Sequence, residues 1–184
     1  MRLFLAAELP VAVRERLIEV REQLAGGLRG WRWVRPEGVH LTLRFLGEVD
    51  EARDRSARPA WQDAVASVSR FQLRLSGLGR FPDRGAPRVL WMGVEETEPG
   101  GALATLAETL EGVARELGWT AETRAFRPHM TLARRTRGGR PDDPTARQAG
   151  ESAAGWVREV TLIRSRLEPR GASYTELDRF PLGR

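Results

Sequence analysis

The sequence predicts an α+β protein with two lobes, each built from an antiparallel or mixed sheet flanked by helices, with a central cleft between the lobes. Segments with strand character follow one another directly at several points, whereas a doubly wound fold alternates strands with helices. Other segments have apolar residues at helical spacing. Residues 35–43 (RPEGVHLTL) return in a shorter form at 127–132 (RPHMTL), which indicates an internal duplication related by a pseudo-two-fold axis.

Five strands and two helices are predicted for residues 1–94. The first helix follows Pro10, which suits a first helical turn, and ends at Gly26–Gly27; its apolar face consists of Val13, Leu17, Val20 and Leu24. The second helix is polar, begins at the capping residue Asp50, runs to about Ser69 and is interrupted or begins late at Pro59. The strands, recognised as short apolar runs between turn residues, cover 2–9, 31–34, 40–46, 71–78 and 88–94.

The rest of the chain is predicted to contain one helix and three strands. The helix ends at Gly118, and its apolar face consists of Leu103, Leu106, Leu110, Val113 and Leu117. A strand at 129–135, a loop at 137–144 and a final hairpin follow; the hairpin pairs 156–168 with 173–182 around residues 169–171. We expect residues 1–184 to form one bilobal domain, in which each lobe supplies one His-x-Thr-x motif, at 40–43 and 129–132.

The composition is that of an ordinary globular protein and excludes several kinds of chemistry. There is no cysteine, which removes disulfides, thiolate catalysis and cysteine metal sites. No apolar run approaches the roughly 18 residues of a membrane span, and the N-terminal segment does not resemble a cleavable signal, so we expect a cytoplasmic protein without membrane attachment. The net charge is +5, and all 30 basic residues are arginine. Their even spread favours a GC-rich genome over a phosphate-binding surface as the cause, and leaves a mild preference for anionic partners.

The two histidines of the chain head the same four-residue pattern, His-x-Thr-Leu, at His40 and His129. Residues two apart in a strand share a face. His40 and Thr42 therefore point one way, and their apolar neighbours point the other way. His129 and Thr131 repeat this arrangement. The sequence thus predicts two His-Thr pairs that face a shared groove, while the apolar positions pack into the core.

Two imidazoles and two hydroxyls that face each other suit a tetrahedral phosphate group. Imidazole can give or take a proton near neutral pH. Displacement at phosphorus runs in line, so an acid and a base are needed on opposite sides. The threonine hydroxyls can hold the non-bridging oxygens and offset their charge. No metal or other cofactor is required, and two histidines without cysteine or a clear carboxylate partner make a poor zinc site.

Two arginines near the motifs are further candidates for phosphate binding. Arg44 has the strand parity of His40 and Thr42, and could reach the phosphate or be a solvated residue at the strand end. Arg134 has the opposite parity to His129, so it reaches that side only if a bulge intervenes. A run of arginines follows the second motif and could bind an RNA backbone. Such a run is more often a solvated loop. It consists of Arg134, Arg135, Arg137 and Arg140.

Most aromatic residues lie in strands among apolar neighbours and are expected in the core. Phe45 alternates away from His40, so it is also expected in the core. Trp33 and Phe126, which lie near the motif strands, are the candidates for stacking on a nucleic-acid base.

The paired segments HLTL and HMTL resemble the two His-x-Thr-x motifs of the two-histidine (2H) phosphoesterases. The segments MRLFLAAELP, HLTLRFLGEV, FRPHMTLAR and LIRSRLEPRGASYTEL are similar to the bacterial and archaeal RNA 2′,3′-cyclic phosphodiesterases, also called 2′-5′ RNA ligases. The resemblance extends over essentially the whole chain. It implies a bilobal fold with a pseudo-two-fold cleft, and metal-independent hydrolysis of a terminal RNA 2′,3′-cyclic phosphate to a 2′-phosphomonoester.

The resemblance also implies roles for the motif residues. By motif position, His40 donates a proton to the departing 3′ oxygen and His129 accepts one from water, while Thr42 and Thr131 bind the phosphate oxygens. Arg134 lies where the family tends to carry arginine. The residues alone leave the direction of proton transfer open, because the two lobes are symmetric.

Three other functions remain open at this point. One is 2′-5′ ligation of tRNA halves, which passes through the same transition state with a ribose hydroxyl in place of water. Another is a non-catalytic module that binds RNA ends, although arginine would serve binding as well as histidine. A third is hydrolysis of small cyclic nucleotides or 2′-5′ dinucleotides. For the leading function we expect a monomer that acts on an RNA end, such as that of a tRNA fragment.

Overall fold

Three α-helices and nine strands make up the described part of the chain, residues 1–145, 153–168 and 171–184, in a computed structural model. The helices are α1 (Val11–Ala25), α2 (Glu51–Ala66) and α3 (Ala102–Glu116), and a short 3-10 helix covers Pro36–Gly38. The strands are β1 (Arg2–Ala7), β2 (Trp31–Trp33), β3 (Leu41–Glu48), β4 (Phe71–Phe81), β5 (Val89–Glu96), β6 (His129–Arg135), β7 (Ala154–Val157), β8 (Glu159–Glu168) and β9 (Gly171–Pro181). The predicted α+β class is confirmed. Residues 169 and 170 of the predicted hairpin turn lie outside the described residues.

The strands form one continuous sheet, in which every pair of neighbouring strands is antiparallel. Its order is β7-β4-β5-β6-β3-β1-β8-β9, and β2 pairs with β6. The motif strands β3 and β6 are neighbours near the middle of this order. The two sheets that were predicted separately are therefore halves of one sheet, because the motif strands pair directly with each other.

One residue, Arg158, separates β7 from β8, although these strands lie six places apart in the sheet order. In a flat sheet, six strand spacings would amount to about 29 Å, far beyond the reach of one connecting residue. The sheet therefore curls until the end of β7 meets the start of β8. The predicted single strand over 156–168 is accordingly two strands: Trp156 pairs with Gln72 of β4, and Glu159 pairs with Pro181 of β9.

The sheet has a packed face and an open face. The packed face carries the main hydrophobic core, in which strand residues such as Leu5 and Leu41 cluster with the buried residues of the three helices. The open face carries a smaller apolar cluster of Phe4, Ala6 and Ile163, on β1 and β8. Strand alternation explains the division, because consecutive residues of β1 belong alternately to the two clusters.

Helix α2 runs unbroken through Pro59. The Asp50 side chain caps its start by accepting a hydrogen bond of 2.8 Å from the backbone N–H of Arg53. Ala57 and Trp61, on either side of the proline, are only 2% and 1% exposed. Their burial offsets the hydrogen bond lost at the proline, so the predicted interruption or late start is wrong. No helix within the described residues is both long and apolar enough to cross a membrane.

Candidate active site

The two motif strands meet at the residue pair Leu41 and Met130, which lie opposite each other in the antiparallel register of β3 and β6. Both side chains are fully buried, at 0% exposure, within the main core. Each is the second residue of its motif. The pseudo-two-fold axis that relates the two motifs therefore passes through this pair.

Four polar motif residues surround the buried pair on the open face. Continuing the register by one residue in each direction places His40 opposite Thr131 and Thr42 opposite His129. Alternation turns all four side chains away from the packed face, and all four are partly exposed. Diagonal positions of such a ladder have Cβ atoms about 7 Å apart, so this is the separation expected between the two histidines. The structure thus brings the predicted His-Thr pairs together on one surface.

The first residue of β6, His129, has one ring nitrogen fixed by the backbone. Its Nδ1 lies 2.7 Å from the carbonyl oxygen of Arg127. A carbonyl oxygen can only accept a hydrogen bond, so Nδ1 must carry the proton in this contact. The nitrogen left to exchange protons with a substrate is therefore Nε2.

An aromatic wall supports the His129 ring. The centroid of His129 lies 5.0 Å from that of Phe81 and 6.0 Å from that of Trp91. Gly79 makes room for this wall, because a Cβ at that position would lie 2.1 Å from the indole of Trp91. The guanidinium of Arg127 covers both rings, at 5.0 Å and 5.6 Å from their centroids.

The other histidine, His40, lies against two different aromatic rings. Its centroid is 4.6 Å from that of Tyr174 and 5.4 Å from that of Phe4, both in edge arrangements. Gly38 makes room for Tyr174, because a Cβ there would lie only 3.1 Å from a carbon of the tyrosine ring. Within the described residues, the buried Nε2 of His40 has no hydrogen-bond partner.

Burial lowers the pKa of His40 from its ordinary 6.5 to about 4. The positive charge of Arg14 lowers this pKa further, and the negative charge of Glu176 opposes the shift. The imidazole is therefore neutral at pH 7 in the ligand-free protein. An anion bound beside the ring would favour its charged form and raise its pKa.

NMR titration of the two imidazoles is expected to show His40 titrating near pH 4. The chain has two histidines, so a spectrum of the His129→Gln variant assigns both signals. Replacing Arg14 by Gln is expected to raise the pKa of His40, and replacing Glu176 by Gln to lower it, because each change removes one neighbouring charge. A midpoint that stays near 6.5 would contradict the buried environment of this ring.

The same shift makes the free energy of unfolding depend on pH. The pKa of His40 is near 6.5 in the unfolded chain and about 4 in the folded protein, so the unfolded chain binds the proton more tightly. The stability linked to His40 is therefore complete above pH 6.5 and is lost as the pH falls through 4. It amounts to about 3 kcal/mol. Urea unfolding between pH 4 and 7 should show this slope in the wild type and not in His40→Gln.

Both motif strands contain a β-bulge at the fourth residue of the motif. Along β3, Thr42 is opposite Ala6 of β1, but the next paired residue is Arg44, so Leu43 is an extra residue. Leu132 is skipped in the same way between β6 and β5. A bulge reverses the alternation of side chains that follow it. Residues after each motif therefore point to the side opposite to the one that simple parity predicts.

Because of the first bulge, Arg44 is directed away from the motif residues, and the predicted contact between Arg44 and the phosphate is wrong. Its guanidinium donates hydrogen bonds of 2.6 Å to the carbonyl oxygens of Phe45 and Thr120. Its Nε lies 2.7 Å from a carboxylate oxygen of Glu111 on α3, a coulombic contact in which the N–H does not point directly at the oxygen. With 8% exposure, Arg44 belongs to the packed side of the sheet.

The bulges bring Phe45 and Arg134 to the open face. These residues occupy equivalent positions, each five residues after its motif histidine. Phe45, predicted in the core, is instead 54% exposed. Arg134 is exposed, and within the described residues its side chain has no hydrogen bond or ion pair. The bulge that Arg134 needs in order to reach the His129 side is present.

The remaining candidates from the sequence lie elsewhere. Trp33 and Phe126 are partly buried and pack against the main core, and their predicted role in base stacking stays a prediction. Arg135, Arg137 and Arg140 are exposed, and their predicted contact with RNA stays a prediction. Among the residues the structure describes, no group of three or more histidine and acidic side chains could hold a metal ion.

Comparisons with known proteins decide the family. A family model described as LigT like Phosphoesterase matches residues 8–91. The chain is 33% identical to the RNA 2′,3′-cyclic phosphodiesterase of Archaeoglobus fulgidus, over 98% of this chain and 99% of that protein. The chain belongs to the LigT-like phosphoesterase family. The resemblance drawn from the paired motifs is confirmed, and a protein of the same name from Thermus thermophilus is 37% identical over 99% of this chain and 90% of its own length.

Solved structures of LigT-like phosphoesterases share the fold. A crystal structure of a Thermus thermophilus protein matches with a TM-score of 0.80 at 34% identity, over 98% of this chain and 97% of the other. E. coli LigT in its apo form matches with a TM-score of 0.80 at 29% identity, over 100% and 98% of the two chains. E. coli LigT complexed with 3′-AMP matches with a TM-score of 0.76 at 28% identity and the same coverage.

Sequence reasoning missed three residues that shape this site. Tyr174 lies on β9, and only its place in a segment shared with the family could have suggested it. Arg127 precedes the second motif as Arg35 precedes the 3-10 helix before the first, and that repeat was a usable signal for it. Phe45 could not be found by parity, because no residue in the segment LTLRFL marks the position of the bulge.

Proposed function

We propose that this protein hydrolyses a terminal 2′,3′-cyclic phosphate of RNA to a 2′-phosphomonoester, without a metal ion. The observation that carries the proposal is the interleaving of His40, Thr42, His129 and Thr131 around one buried residue pair. It is supported by curated relatives named RNA 2′,3′-cyclic phosphodiesterase that match over nearly the whole chain. In this proposal residues 1–184 act as one bilobal unit, with one motif from each lobe.

The reaction needs a base and an acid on opposite sides of one phosphorus atom. Nε2 of His129 accepts a proton from water as the water oxygen bonds to phosphorus. The bond from phosphorus to the 3′ oxygen breaks, and His40 donates a proton to that oxygen. The products are a 3′ hydroxyl and a 2′-phosphomonoester. General acid-base catalysis of this kind contributes roughly 10²–10⁴-fold for each positioned group.

The acid has to be protonated when the 3′ oxygen leaves, although His40 is neutral at pH 7 in the ligand-free protein. The cyclic phosphodiester is an anion. Its negative charge against the ring raises the pKa of His40, and charge that develops on the leaving oxygen raises it further. Substrate binding thus raises the pKa of His40, so that the ring can be protonated when the 3′ oxygen leaves.

Thr42 and Thr131 hold the two non-bridging phosphate oxygens in this proposal. Their hydroxyls offset charge that builds on these oxygens in the transition state. Replacing either threonine by Val is expected to lower kcat/KM by about 10²–10³-fold, the usual effect of losing one such donor. Steady-state kinetics measures the loss. Thr109→Val, at a partly exposed position of α3 far along the chain from both motifs, is the control. Equal activity of all the variants would remove the threonines from the mechanism.

Arg134 is proposed to add a positive charge at the edge of the phosphate site. It follows Thr131 on the same open face, and its side chain has no partner within the described residues. The exposed arginines beyond it, Arg137 and Arg140, extend this charge toward the RNA chain. Such contacts make binding weaken as salt increases.

A defined substrate tests the proposed function. The purified protein is incubated with an oligoribonucleotide that ends in a 2′,3′-cyclic phosphate, in the presence of excess EDTA. We expect turnover to a 2′-phosphomonoester, with a bell-shaped dependence of rate on pH because one acid and one base take part. The 2′ and 3′ monoesters are separated by chromatography against synthetic standards. A 3′-phosphomonoester, or loss of activity in EDTA, would contradict the proposal.

A further inference from the structure

The carbonyl oxygen that fixes the tautomer of His129 belongs to a segment without regular secondary structure. Helix α3 ends at Glu116 and β6 begins at His129, and the described residues between them form neither a helix nor a strand. The backbone hydrogen bonds of a helix or a sheet therefore do not hold the Arg127 carbonyl beside the imidazole. Its oxygen nevertheless lies 2.7 Å from Nδ1 of His129, so other contacts have to place Arg127.

The side chain of Arg127 makes contacts that can hold this carbonyl in place. Its guanidinium lies 5.0 Å from the ring centroid of Phe81 and 5.6 Å from that of Trp91, both within the range of a cation–π interaction. The same two rings lie against His129, at 5.0 Å and 6.0 Å between centroids. Arg127 thus contacts the aromatic wall through its side chain and the imidazole through its backbone.

A carboxylate in the loop between β4 and β5 completes this arrangement. Nη1 of Arg127 donates hydrogen bonds to both carboxylate oxygens of Asp83, at 3.1 Å and 2.8 Å. Asp83 is two residues after Phe81, so the loop that follows one ring of the wall also binds the cation that covers that ring. The two charged side chains are 50% and 64% exposed, and an exposed ion pair contributes little to stability. We therefore expect the pair to affect the position of Arg127 more than the stability of the fold.

The other motif histidine has no equivalent support at its buried ring nitrogen. Nε2 of His40 has no hydrogen-bond partner within the described residues, and the 3-10 helix Pro36–Gly38 separates it from Arg35, the counterpart of Arg127 in the first repeat. The difference fits the two proposed roles. A base needs a neutral ring with the lone pair on the nitrogen that faces water, so the proton has to be on the other nitrogen. An acid is protonated on both nitrogens, so it needs no fixed tautomer.

We propose that Arg127 is a positioning residue for the base His129, and that Asp83 holds Arg127 in the required position. This inference rests on the proposed function, because it takes His129 as the base from it. With the Arg127 side chain fixed, the carbonyl of the same residue keeps the proton of His129 on Nδ1 and leaves Nε2 free to accept a proton from water. In this role Arg127 contacts neither the substrate nor the water, and it acts by raising the fraction of His129 rings in the reactive tautomer and orientation.

Nitrogen-15 NMR of the imidazoles tests the inference without turnover. At a pH where the His129 ring is neutral, its two nitrogen shifts report which nitrogen carries the proton. We expect the proton on Nδ1 in the wild type, and on Nε2 in part of the population in Arg127→Ala and in Asp83→Ala. Glu95→Ala, which breaks an ion pair of similar exposure between Glu95 and Arg74 at 2.8 Å, is the control and should match the wild type. An unchanged tautomer in Arg127→Ala would overturn the proposal.

Steady-state kinetics with the oligoribonucleotide that ends in a cyclic phosphate measures the effect on the reaction. Arg127→Ala is expected to lower kcat by about 10-fold and Asp83→Ala by about 2- to 5-fold, because the first change removes the ring contacts and the ion pair and the second removes the ion pair alone. KM should stay within about twofold of wild type. Adding Asp83→Ala to Arg127→Ala should have no further effect, because Asp83 acts through Arg127; additive effects would contradict that dependence.

A direct contact with a substrate phosphate is the competing role for Arg127, and Arg127→Lys separates the two roles. Lysine keeps the positive charge but lacks the planar group that stacks on the rings. Positioning predicts that Arg127→Lys loses kcat as Arg127→Ala does. Wild-type kcat in both variants, with KM raised in Arg127→Ala alone, would overturn the proposal while the proposed function stands. If the wild type has no turnover, the proposed function fails, and the tautomer measurement alone decides whether Arg127 positions His129.

Discussion

Replacement of either motif histidine by alanine is expected to lower kcat/KM for an RNA 2′,3′-cyclic phosphate by about 10⁴-fold, the upper end of what one positioned acid or base contributes. Loss of His129 removes the base that activates water, and loss of His40 removes the acid that protonates the 3′ oxygen. Each group acts in the same transition state on its own side of phosphorus. Single-turnover kinetics with a labelled oligoribonucleotide measures the loss without interference from product release.

The double variant His40→Ala/His129→Ala distinguishes concerted action from independent contributions. Two groups that act as a unit have non-additive effects, so the double variant should be about as slow as the slower single variant. Leu167→Ala, at a 79% exposed position of β8, is the control for handling and folding. A histidine variant that keeps near-full activity, with an unchanged circular dichroism spectrum, would contradict the acid-base pair.

The Arg44→Met variant is expected to lower the free energy of unfolding by about 3 kcal/mol, because it removes a buried guanidinium that contacts a partly exposed carboxylate and donates two hydrogen bonds. The substitution leaves Glu111 without its cation and two carbonyl oxygens without donors. Urea denaturation measures the change. The kcat/KM of the folded fraction should stay within about twofold of wild type, since Arg44 is directed away from the motif residues.

An exposed ion pair in the same sheet provides the matched control. Arg74 and Glu95 pair at 2.8 Å across β4 and β5, with about half of each side chain exposed. Arg74→Met should cost no more than about 1 kcal/mol, as is usual for surface pairs. If Arg44→Met instead left stability unchanged and reduced kcat/KM by about 100-fold, Arg44 would belong to the phosphate site after all.

The sequence alone predicts which motif side chains share a face of the sheet, because alternation along a strand depends only on neighbouring residues. His40 and Thr42 share a face on that ground alone, and so do His129 and Thr131. The direct pairing of Leu41 with Met130 could not be predicted, because cross-strand register depends on contacts between segments far apart in the chain. For the same reason, two separate sheets were expected in place of one.

The faces predicted for Arg44 and Phe45 were wrong for one physical reason. A bulge changes the parity of a strand without changing its composition, so the segment from Leu43 to Phe45 is compatible with two opposite orientations. Tertiary contacts decide between them: Glu111 on α3 binds Arg44 on the packed side, and Phe4 on β1 supports Phe45 on the open side. Similarly, no glycine or proline marks the short break at Arg158, where the segment 156–168 divides between two distant strands.

The matching bulges at Leu43 and Leu132 have a consequence for how the molecule departed from symmetry. A pair of identical halves would present the same side chain after each bulge, and would accept a ligand in either of two reversed orientations. In this chain the outward position after the bulge holds phenylalanine beside the first motif and arginine beside the second. A single amino-acid difference at one repeated position thus makes the two ends of the site chemically different, so that a ligand has one preferred orientation.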